Sequence, residues 1–153
     1  MPAATAPTMM LVVFTAVLAG VVTDCAPRTS ANVAPRPGDV SLRIASPAPN
    51  DTPSAGALRV RVEYRGPGLV PGAESQKLTD YHLHYFLDED AAPYLGTEIV
   101  IPSGNPKILH SAAQEVTFEN VAAGAHTVTV VLTGNNHISV SPATSDKVTF
   151  TVR

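Results

Sequence analysis

Five histidines carry most of the chemistry this sequence can offer. His82 and His84 stand two apart in Tyr81-His82-Leu83-His84-Tyr85-Phe86-Leu87-Asp88. On an extended strand such residues share a face, with α-carbons ~6.5–7 Å apart. Two imidazoles at that spacing can converge on one ion. His137 follows Asn135-Asn136 on a loop that can approach them. Three imidazoles, with a carboxylate or water completing the shell, suit copper or zinc. Asp88 and His126 form a second candidate pair, expected to stabilise the fold through a hydrogen bond. His110, beside Ser111, carries no spacing signal and is expected on a loop. The competing expectation is structural: strand histidines bonding across a sheet, with His137 organising its own turn.

Other chemistry is thin. Asp88-Glu89-Asp90 is a short acidic cluster that could help hold a hard cation such as calcium, although a solvated loop is the simpler reading. No Gly-rich phosphate loop leads from a strand into a helix. Ser111 after His110 makes no triad without a third partner. The single cysteine, Cys25, lies beside an apolar N-terminal run, away from any candidate nucleophile site. These features argue against an enzyme. Lys and Arg number 10 against 13 Asp and Glu, with no basic stripe, which argues against nucleic acid as a partner.

The elements that must position the histidines are strands. Val40, Leu42 and Ile44 alternate with Ser41 and Arg43; Leu58, Val60, Val62 and Tyr64 alternate with Arg59, Arg61 and Glu63. The same period of two runs through Val116 and Phe118, through Val128, Val130 and Leu132, and through Val148, Phe150 and Val152. Tyr81–Asp88 adds a strand, and Glu98–Ile101 reads as a short one. Breakers separate them at 46–51, 65–68, 122–124 and 134–136. About seven short strands imply an all-β, immunoglobulin- or fibronectin-III-like antiparallel sandwich over residues 39–153. In that topology the Tyr81–Asp88 and His126–Thr133 strands are antiparallel neighbours. His137 then falls at the His82 end of the pair and His126 at the Asp88 end. With Tyr81, Leu83, Tyr85 and Leu87 assigned to the core, His82 and His84 are expected outward, as a surface cluster.

The ordered set Tyr81–Asp88, then Ala123-Gly124-Ala125-His126-Thr127, then Asn135-Asn136-His137, then Lys147–Val152 resembles a family of uncharacterised secreted or lipoprotein-like bacterial domains. That family carries a Gly-His-x-His strand with a later Asp, then a Gly-x-His-Thr and an Asn-x-His element. Tyr81 departs from the family's Gly. The resemblance covers most of 39–153 and implies an exported sandwich domain, without implying an activity. The His-x-His strand is also similar to that of copper-zinc superoxide dismutase. The downstream histidine-rich zinc loop and the disulfide pair of that family are missing. His110 is the only histidine between His84 and His126, so that assignment is rejected.

Upstream the text changes. Met9–Val22 is an uncharged apolar run of 14 residues, short for a membrane span of ~20, and it fits the core of a signal peptide. Residues 1–25 are read as that signal, with an uncleaved anchor as the alternative. Val22-Thr23-Asp24-Cys25 loosely matches a lipobox, which makes Cys25 a candidate lipidation site; a lone cysteine allows no internal disulfide. Residues 26–38, rich in Pro and Ala, read as a tether. The functional expectation is a non-enzymatic exported module, periplasmic, cell-surface or lipid-anchored in the outer membrane. It would bind an envelope protein or surface polymer. The alternative is a periplasmic copper or zinc binder using His82, His84 and His137.

Overall fold

The structure, a computed structural model, describes residues 40–153. The segments read above as a signal and a tether, with Cys25, lie outside the described residues. Seven strands form: β1 Ser41–Ser46, β2 Gly56–Arg65, β3 His82–Leu87, β4 Ile108–Ser111, β5 Glu115–Val121, β6 Gly124–Thr133 and β7 Ser145–Val152. They make one sheet in the order β1-β2-β5 and another in the order β4-β3-β6-β7, all pairs antiparallel. This is an immunoglobulin-like sandwich with its fourth strand beside the third.

Alternation drives the packing. Along β2, Leu58, Val60 and Val62 are buried while Arg59, Arg61 and Glu63 face water. They meet Leu83, Tyr85, Leu87, Val128, Val130, Leu132, Val148 and Phe150 of the opposing sheet in the main core. Each such side chain withdrawn from water stabilises the fold by ~1.5–3 kcal/mol. The Tyr85 hydroxyl donates to the Ala113 carbonyl at 2.7 Å, so its burial strands no polar atom. The Ile44 N–H donates to the Asp146 carboxylate at 2.7 Å and joins β1 of one sheet to β7 of the other.

Two expectations fail here. Glu98–Ile101 forms no strand, because Ile99 and Val100 are exposed and only Ile101 is buried. The missing strand is instead β4, pairing with β3 so that His84 faces His110 and Phe86 faces Ile108. His110 is therefore a strand residue, not a loop residue.

A third correction concerns β3. His82, His84 and Phe86 do point away from the main core, yet every residue of the strand is buried. The long connection from β3 to β4 folds back over that outer face. It makes a 3-10 turn at Ala92–Tyr94 and places Ala91 and Ile101 against Phe86, Ile108 and Val131 as a second core. Ser139 fastens this cover, donating to the Tyr94 carbonyl at 2.7 Å and accepting from the Gly96 N–H at 2.8 Å.

Candidate metal centre

The β3 ladders bring the histidines together. His84 lies opposite His110 on β4 and Val131 on β6, while His82 lies opposite Thr133. Opposed residues in a sheet share a face, so these side chains crowd one patch. His137 arrives from the turn after β6. Its N–H donates to the Gly134 carbonyl at 3.0 Å, and its own carbonyl accepts from the Ile101 N–H at 2.9 Å. The turn sits close against a neighbouring segment: a Cβ on Gly134 would lie 2.6 Å from the Leu78 carbonyl oxygen. Glycine is what lets the two backbones touch.

His82, His84, His110 and His137 each offer a ring nitrogen, and these atoms all lie within 4.8 Å of one another. His84 Nε2 and His137 Nδ1 are 3.4 Å apart. An ion ~2.0–2.1 Å from four tetrahedral nitrogens sets them ~3.3–3.4 Å apart. One edge is thus already at bonding span, and the others close with shifts of about an ångström. Among the described residues no carboxylate or cysteine joins the group.

Burial disfavours the protonated form of three of the four rings. Burial, then the neighbouring rings of His137 and His110, push His82 down to about 4 from an ordinary 6.5. His84, wholly buried, falls further, to about 2, by burial and then by His110, His82 and His137. Burial also lowers His110, partly opposed by the Pro102 carbonyl that its Nε2–H meets at 3.2 Å. Unprotonated imidazole is the metal-binding form.

One atom is conspicuous. His82 Nδ1 is buried with no hydrogen-bond partner. Leaving such a group unpaired costs ~1–3 kcal/mol, and a bound cation would satisfy it. The donor set and this orphaned nitrogen fit a metal ion. The four histidines could hold one.

No protein-family model and no curated protein matches the chain. The site therefore speaks through its own geometry. His82, His84 and His137, singled out in the sequence, are together, with His82 and His84 buried and His137 half-buried rather than forming a surface cluster. His110 is the member that sequence reasoning set aside. Its signal was local: Asn105-Pro106 breaks the chain just before the apolar pair Ile108-Leu109.

Asp88 and His126 sit at the other end of β3 and take no part in the cluster. Asp88 Oδ2 meets His126 Nδ1 at 2.7 Å, and Asp88 Oδ1 accepts the Thr127 N–H at 2.9 Å. His126 Nε2–H donates to the Ala122 carbonyl at 3.0 Å. The carboxylate thus ties the end of β3 to the start of β6. Asp88 also occupies left-handed backbone, φ 54°, which Asp tolerates better than Ala. Asp88→Ala is expected to destabilise the domain by about 2–3 kcal/mol through lost charge-assisted bonds and backbone strain. Urea unfolding checks this, and a loss under ~0.5 kcal/mol would show that the tie contributes nothing.

Proposed function

We propose that this protein is an exported copper-binding protein of the bacterial cell envelope, holding one ion between His82, His84, His110 and His137. The observation that carries the reading is the convergence of four imidazoles, one of which, His82, holds a buried and unpaired Nδ1. Imidazole sites take copper and zinc, and copper stands highest in the affinity order of the divalent series. Four protein donors fill a tetrahedral shell, whereas catalytic sites keep a position open for substrate. That supports binding or carriage of the ion over turnover. Export rests on the apolar run Met9–Val22, and Cys25 is the proposed point of lipid attachment.

One observation favours a second reading, a module that contacts an envelope protein. Leu78, Ile99 and Val100 are large and exposed, and they flank the Gly134–His137 turn. In that reading the histidines stabilise the fold alone.

Calorimetric titration of the full chain with Cu(II), Cu(I) and Zn(II) separates them. One copper per chain is expected, bound more tightly than zinc. The decisive variant is His137→Asn. His137 sits at φ 59°, where Asn is comfortable, so the exchange removes a donor without straining the turn. Copper affinity should fall at least ~100-fold, about 2.7 kcal/mol, with the melting temperature of the metal-free protein unchanged or raised. A folded wild-type chain that binds no metal overturns the copper reading and leaves the second.

A further inference from the structure

We infer that Thr133 is a positioning residue that decides which ring nitrogen His82 and His84 each present to the ion. The inference rests on the copper reading for its consequence, but its premise is the hydrogen bonding of the metal-free protein.

The Thr133 hydroxyl is fully buried on β6, directly opposite His82. Its oxygen lies 3.0 Å from His84 Nδ1, 3.3 Å from His82 Nε2 and 3.4 Å from the His82 carbonyl oxygen. A hydroxyl has one proton to give and two lone pairs to accept with. A carbonyl can only accept, so giving it the Thr133 proton is the one assignment that satisfies all three contacts at once. The two lone pairs then accept N–H groups from both rings. His84 is protonated at Nδ1, which leaves the Nε2 lone pair free, 3.4 Å from His137 Nδ1. His82 is protonated at Nε2, which leaves the Nδ1 lone pair free, and that is the buried atom without a partner. The opposite proton on His82 would put an N–H at that atom with nothing to receive it.

The Pro102 carbonyl acts on His110 in the same way. It accepts from Nε2–H at 3.2 Å and leaves Nδ1 as the free donor. The ion is therefore met by Nδ1 of His82, Nε2 of His84 and Nδ1 of His110. A partner on the far nitrogen is what commonly orients metal-bound imidazoles, and its loss weakens binding ~10–100-fold. Here one hydroxyl serves two ligands, so a single atom holds two tautomers.

Thr133→Val keeps the shape and removes that atom; Thr133→Ser restores it. Imidazole nitrogen NMR on the metal-free full chain should show His84 as the Nδ1–H form and His82 as the Nε2–H form. In Thr133→Val this assignment is lost, and copper affinity drops ~10–100-fold. Thr133→Ser should recover both. Opposite tautomers in the wild type overturn the inference, and so does a Val variant that keeps both its tautomers and its affinity. A wild type with the expected tautomers that binds no copper sinks the copper reading while leaving Thr133 as the tautomer-setting residue. If Thr133→Val fails to fold, the wild-type tautomers and the Ser variant decide.

Discussion

Val130→Asp abolishes folding at room temperature. Val130 is fully buried at the middle of β6, between Tyr85 on β3 and Asp146 on β7 in the sheet ladder. Its side chain belongs to the main core. A carboxyl group there has no water and no cation to meet. It either stays charged at a large desolvation cost or takes up a proton and remains a poorly bonded polar group. Either outcome costs several kcal/mol, on top of the apolar burial that is lost. Domains of this size keep only ~5–15 kcal/mol in hand. Far-UV circular dichroism and a thermal melt check the result. A cooperative transition at the wild-type temperature would falsify the inward facing of β6.

Acid has the second large effect, and its sign follows from the depressed imidazoles. His82 holds a proton only below about 4 and His84 only below about 2 when folded, against 6.5 for an ordinary histidine. The unfolded chain therefore binds more protons than the folded one as soon as the pH falls below ~6.5. Stability is at its full value above that point. It declines from there down to the folded values, at up to ~1.4 kcal/mol per pH unit for each ring. By pH 4 the two rings together remove several kcal/mol from the metal-free domain. If the proposed copper site is right, copper bound to the unprotonated rings should hold the transition at lower pH. Denaturant midpoints from pH 7.5 to 4 measure this for both forms. A metal-free midpoint that stays flat down to pH 4.5 would mean the rings are not held neutral.

Much of the sandwich was legible because one face of most strands is wet. The alternation in β2 and β7 maps residue for residue onto buried and exposed positions. Where a strand is covered on both sides the code disappears. Ile108-Leu109-His110-Ser111 shows no clean period of two, since Ile108 packs into the outer layer while Leu109 packs against the main core. Glu98–Ile101 has the β-branched composition of a strand yet finds no ladder, only the single bond from the Ile101 N–H to the His137 carbonyl. The burial of His82 and His84 was hidden for the same reason. Nothing in their spacing announces that the segment after Asp88 returns to cover them. His137 could be placed because the antiparallel pairing of β3 with β6 fixes which end it reaches. His110 could not, because its approach depends on the register across a long connection.

Strand β3 is a wall shared by two interiors, with Leu83, Tyr85 and Leu87 on one side and His82, His84 and Phe86 on the other. A slip of one residue in its pairing would exchange the two sets. Two imidazoles would enter the aliphatic interior, and a tyrosine and two leucines would fill the place of the ligands. Most half-buried strands pay for such an error on one face only. In β3 both faces reject it, so the pairing that makes the domain fold and the pairing that assembles the four nitrogens are one and the same alignment. Misregistered chains would lack the four-nitrogen cluster, so if the site holds an ion as proposed, a chain that holds one reports that its strands are correctly matched.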